Sequence, residues 1–159
     1  VMDWAGWAIF GFAGTLALTG IMVGAQMAGR SRMSIPLLLG TAFTDDLGKA
    51  RFSGFIFHLA NGQFFAFFYV AAFALLDQSS WWLGALFGAF HGLVAMTVIV
   101  PAFLEINPRV ASERSGPELV TALEPPGFLA LNYGNETPIV SLVAHIIYGA
   151  ILGAFITSG

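Results

Sequence analysis

Three histidines, His58, His91 and His145, lie inside long apolar runs, where an ionisable side chain is costly enough to be a functional candidate by default. A neutral imidazole in that setting ligates a metal, or donates and accepts hydrogen bonds. His58 and His145 share a local pattern: a glycine follows each of them four residues on, at Gly62 and Gly149. Positions i and i+4 share a helix face, so each imidazole is predicted to have a glycine notch beside it. Two level histidines of this kind could ligate a haem b from both sides, or a chlorophyll-type pigment singly. The plainer alternative is that each imidazole bonds a carbonyl or hydroxyl of a neighbouring helix. Asn61 and Tyr148, one turn on, are then its partners, and the glycines merely let helices approach. Helix glue is the commoner use, so no cofactor is expected. Haem b or a pigment on His58 and His145 stands as the alternative, with His91 a weaker candidate.

The composition says what must position these residues. The chain is 57% hydrophobic and 9% charged, with a mean hydropathy of +0.81, which is a membrane composition. There are no cysteines, so disulfides, thiolate metal sites and thiol catalysis are excluded. A net charge of −3 implies no nucleic-acid partner. Four apolar runs, about 4–27, 52–76, 82–104 and 139–156, are each long enough to cross roughly 30 Å of hydrocarbon. The first has no basic residue before it and is expected to act as an uncleaved insertion signal.

The fold expected is an all-α membrane protein: four transmembrane helices in two tandem hairpin repeats, forming one domain. The repeat shows in the histidine helices and in what precedes them. Pro36 to Phe43 and Pro126 to Tyr133 each run seven residues from proline to aromatic. Short interfacial segments are expected in both long loops, 28–51 and 105–138. Small-residue spacings at Gly20 and Gly24, and at Gly84, Gly88 and Gly92, predict close helix packing. Pro101 is expected to kink the third span. His58 and His145 sit about six residues into spans entering from the same side, roughly 9 Å deep. His91 enters from the other side, on the order of 10 Å further, too far to join them.

Every Lys and Arg falls in the two long connections and every Trp at the opposite end. The positive-inside rule then puts the loops in the cytoplasm and both termini outside. The carboxylates at the corners, Asp45, Asp46, Glu105 and Glu124, read as a solvated rim. No Ser-His-acid order suggests a hydrolase. The second long loop is long enough to be functional, and Pro126, Phe128, Leu129 and Tyr133 are its candidate partner-docking residues.

The segments Met33-Ser-Ile-Pro36, Arg109-Val-Ala-Ser-Glu113, Leu123-Glu-Pro-Pro-Gly-Phe-Leu-Ala-Leu-Asn-Tyr-Gly134 and Ala144-His-x-x-Tyr-Gly-Ala-x-Leu-Gly153 resemble a bacterial family of small four-helix inner-membrane proteins. That resemblance implies fold and location, in the inner or an intracytoplasmic membrane, and assigns no activity to any residue. The function expected is that of a non-catalytic accessory or assembly subunit. Its surroundings would be the lipid bilayer and a larger membrane complex, such as a respiratory or photosynthetic one, or further copies of itself. A cofactor protein and a small transporter are the other two classes.

Overall fold

The computed structural model describes residues 1–110 and 123–158; Glu113, Arg114 and Glu118 of the second long loop lie outside them. The described residues form helices without a β-strand: α1 (Trp4–Met27), α2 (Ile35–Gly40), α3 (Leu47–Leu76), α4 (Trp81–Val94), α5 (Val100–Ile106) and α6 (Thr137–Phe155). A π turn, Ala95–Ile99, joins α4 to α5. A 3-10 segment, Phe128–Tyr133, precedes α6. Four helical stretches, Trp4–Met27, Leu47–Leu76, Trp81–Ile106 and Thr137–Phe155, are long and apolar enough to cross a membrane. The chain is therefore built as an all-helical, multi-pass membrane protein.

Local chemistry sets the ends. The Asp3 carboxylate accepts from Gly6 N at 2.7 Å and starts α1. Asp46 does the same for α3, accepting from Gly48 N at 2.9 Å and Lys49 N at 3.0 Å. Its cap starts that helix at Leu47, five residues before the expected Phe52. Asp77, in the left-handed conformation at φ 50°, stops it. Pro101 has no N–H to give the carbonyl four residues back, and its ring crowds that carbonyl. The helix answers with a π turn immediately before it, in which Val100 N bonds Ala95 O.

The spans pack α3 to α1, α1 to α6 and α6 to α4. The α4–α6 contact is backbone against backbone. A Cβ at Gly84 or Gly88 would land on the carbonyl of Gly149 or His145, and one at Gly149 on that of Gly84. The expected Gly84, Gly88 and Gly92 stripe is thus used in full. Gly20 and Gly24 are not: nothing lies within 4 Å of a Cβ built there, and both are exposed. The packing glycines of α1 are instead Gly11, against Gln63 and Ala66, and Gly14, against Tyr148. Across α1 and α3, Trp7 Nε1 donates to Gln63 O and Gln63 Nε2 to Ala8 O, both at 2.8 Å.

The short α2 packs closely on the bundle. It lies in a glycine groove of α3, where a Cβ at Gly54 would strike the Pro36 carbonyl and one at Gly40 the Ala50 carbonyl. The two long connections meet at one end of the bundle. Arg30 pairs with Glu136 at 3.1 Å and Arg32 with Glu124 at 2.7 Å. Ser31 and Thr137 share a buried hydroxyl bond of 2.8 Å, and Asn107 Nδ2 donates to Leu38 O at 2.9 Å. Both ion pairs are exposed and worth at most about 1 kcal/mol each, so the buried polar bonds carry the junction. At the other end Asp3 accepts from Thr157 N and Oγ1, each at 3.0 Å. That hydrogen-bonding to the Thr157 and Gly6 amides holds its carboxyl below the usual carboxylate range.

Candidate functional site

Tyr148 of α6 is the centre of the bundle, 1% exposed. Its ring lies on the bare backbone of α1 at Gly14, and its hydroxyl donates to Gly62 O of α3 at 2.6 Å. Tyr69 of α3 meets it edge-on at a centroid distance of 5.5 Å, and His91 of α4 at 5.9 Å. One phenol thereby fixes all four spans at the level where the histidines sit.

His91 does join the others, contrary to the depth expectation. Its ring is 5.0 Å from that of His145, edge to face, and 4.4 Å from Phe65. The helices begin earlier than the apolar runs, so His58 is the twelfth residue of α3 and His145 the ninth of α6, further along their helices than the sequence count allowed.

The three imidazoles are held differently. His145 Nδ1 lies 2.7 Å from Ser141 O, one turn back on its own helix. A carbonyl only accepts, so Nδ1 carries the proton, and Nε2 of the neutral ring is its bare nitrogen. His91 Nδ1 is 3.2 Å from the Tyr69 hydroxyl, a bond between α4 and α3. His58 Nε2 is buried with no hydrogen-bond partner. Helix glue therefore describes His91, while His145 bonds within its helix and His58 does not bond through Nε2.

All three line one cavity of about 200 Å³. Thr15, Asn61, Ser141 and Tyr148 complete its polar side. Leu18, Met33, Leu38 and Phe103 are among the residues of its apolar side. Ala95 and Met96, on the wall between, belong to the π turn, a device found often at functional sites. Among the described residues, no group of three or more His, Asp or Glu has the spacing to hold a metal ion.

The glycine notches are closed. A Cβ at Gly62 would strike the Thr15 side chain, and Gly149 is covered by Gly84 and Gly88. Both glycines serve helix approach and leave no flat face beside His58 or His145. Of the four residues expected to dock a partner, Pro126 and Tyr133 are buried within the chain. The Tyr133 hydroxyl donates to Glu124 O at 2.5 Å, and its carbonyl accepts from Arg32 N at 2.7 Å. Burial, helped by the negative charge of Glu124, pushes the Tyr133 phenol up to about 12. Leu129 is half-buried at φ 52°, and Phe128 alone of the four points outward, 75% exposed.

Sequence reasoning noted Tyr148 only as a partner for His145 and passed over Tyr69 and the π turn. The usable signal for Tyr148 was its place three residues after His145, on the same helix face. Comparison with protein-family profiles, with curated proteins and with solved structures finds no match to this chain.

Proposed function

We propose that this is an integral protein of the bacterial inner membrane that binds a small lipophilic molecule in the three-histidine pocket. In this reading the spans form two tandem hairpins, with the long loops cytoplasmic and both termini outside. The carrying observation is that His58, whose Nε2 is buried and unpartnered, lines a cavity shared with His91 and His145. Buried polar atoms are nearly always hydrogen-bonded, and a ligand atom in the cavity accounts for the exception. The orientation is supported by the cationic corners at one end and by Trp4, Trp7, Trp81 and Trp82 at the other.

A haem or chlorophyll-type pigment on His58 and His145 fits these residues poorly. The cavity is smaller than the roughly 300 Å³ at which ordinary ligand pockets begin, and a macrocycle needs more. The covered glycines remove the face it would lie on. The accessory-subunit reading keeps one specific support, Phe128 on the loop surface together with outward Phe52, Phe64 and Phe68 of α3. Phe128→Ser tests it, since the change should release partners while leaving the buried loop contacts alone.

The binding reading is tested by purifying the protein from its own membranes in mild detergent and analysing an organic extract by mass spectrometry. The native chain should yield one small molecule in near-stoichiometric amount, and His58→Phe should lose it. An extract indistinguishable from a detergent blank refutes the reading.

A further inference from the structure

The walls of the pocket narrow the class of ligand, an inference that rests on reading the pocket as a binding site. Size comes first. An apolar cavity of about 150 Å³ admits a benzene ring. The 200 Å³ here accommodates one ring with small substituents.

Polarity comes second. His145 donates its Nδ1 proton to Ser141 O, so its neutral Nε2 can only accept. The Tyr148 proton is committed to Gly62 O, which leaves that oxygen as an acceptor. His91 Nδ1 is engaged with Tyr69. His58 Nε2 is unpaired and, by its tautomer, supplies a proton or a lone pair. Asn61 and Ser141 add an amide and a hydroxyl to the wall, and a ligand hydroxyl, which donates to one partner and accepts from another, also satisfies the acceptors that have no proton of their own to give. A carbonyl oxygen, which only accepts, leaves the bare His145 Nε2 without a donor.

Access comes third. The pairs α1–α3, α1–α6 and α4–α6 meet closely, and α3 and α4 stand apart with side chains between them. Aromatic rings bridge that seam: Phe73 with Phe87 at 5.8 Å toward the α3–α4 turn, and beyond them, at two levels, Phe65 with His91 at 4.4 Å and Phe57 with Phe103 at 6.3 Å. Between these levels lie His58 and Ile99, both pocket residues and both only half-buried. In a membrane this seam faces lipid.

We propose that the pocket takes a single aromatic ring bearing a hydroxyl, the chemistry of a phenol or a quinol head group, admitted from the bilayer between α3 and α4. The ring fills the apolar side against Leu18, Met33 and Phe103, and the hydroxyl sits between His58 and His145.

The test uses three probes on the purified full chain in detergent: thymol, its hydroxyl-free twin cymene, and duroquinone, which carries carbonyls only. Binding is read by thermal shift and by equilibrium dialysis. Thymol should bind about tenfold tighter than cymene, the value of one net hydrogen bond in a dry site, with duroquinone between or below them. His58→Phe, which keeps a ring in the wall, should erase the thymol advantage, and His58→Gln should retain part of it. Equal affinity for thymol and cymene overturns the inference, as does duroquinone binding tightest. If no probe binds but the native extract contains a molecule of another class, the ligand assignment fails and the binding reading stands. If no probe binds and the extract is empty, both fail.

Discussion

Gly88→Ala puts a methyl group where α4 and α6 touch, and its cost can be worked from the contact. A Cβ at that position falls on the His145 carbonyl and lies 3.0 Å from the Ile146 Cα. Both are backbone, so neither can rotate away, and the helices must part. Overpacking of this kind costs about 1–3 kcal/mol, while replacing a helical glycine with alanine returns up to about 1 kcal/mol. The net expectation is a loss of about 1–2 kcal/mol, with His145 displaced relative to His91. Gly24→Ala is the control. Nothing lies within 4 Å of its Cβ, so only the propensity gain remains and the variant should be as stable as the native chain or slightly more so. Gly92→Ala falls between, because its nearest neighbour is the His145 Cβ at 3.0 Å. Equilibrium unfolding in mixed detergent, followed by tryptophan fluorescence and helical circular dichroism, ranks the three. A Gly88→Ala variant as stable as native, or a Gly24→Ala variant the more damaged, refutes the packing described for α4 and α6.

Three further outcomes follow from other parts of the molecule. Reporter fusions after Leu76 and after Gly159 should both register outside the cytoplasm, and fusions near Arg114 inside; a cytoplasmic C-terminus overturns the orientation. The Tyr133 phenol is raised from 10.0 to about 12, so the stability its neutral form supplies is complete below pH 10 and lost as pH rises through 12. Limited proteolysis of the Arg32–Glu124 corner should therefore quicken over that window, and Tyr133→Phe should flatten the dependence. Asp3 is lowered from 3.8, so its contribution is present above that value and lost as pH falls below it. Asp3→Asn should loosen the C-terminal Thr157 at neutral pH, seen as faster amide exchange there.

Much of the architecture was legible because apolar runs of membrane length have few alternatives. The first span ends where the hydropathy does, at Met27, and the fourth starts two residues before the expected Ile139. What was not legible turned on which surfaces meet. Gly20 and Gly24 have the same spacing as Gly84 and Gly88, yet one pair faces outward and the other lays α4 on the backbone of α6. Spacing reports a smooth face and not what covers it. The glycines after His58 and His145 misled in the same way: they read as room beside an imidazole and are occupied by Thr15 and by α4. His91 was excluded by counting from the first apolar residue, whereas Asp46 begins the helix in polar sequence. In the long loop, Pro126 and Tyr133 looked like apolar anchors for a partner. Both are buried within the chain: the Tyr133 carbonyl accepts from Arg32 N and its hydroxyl donates to Glu124 O, while Pro126 O accepts from Asn132 N inside the loop.

The convergence of the three histidines is the claim on which the pocket depends, and through-space NMR of the histidine-labelled protein measures it. With His58→Gln, His91→Gln and His145→Gln used to assign the rings, His91 and His145, 5.0 Å apart, should give a ring-to-ring cross-peak. His91 should also show one to the Tyr148 ring, 5.9 Å away. Thymol should move the His58 signals most. A His91 ring with no contact to His145, or a His58 ring indifferent to every probe, would contradict the account.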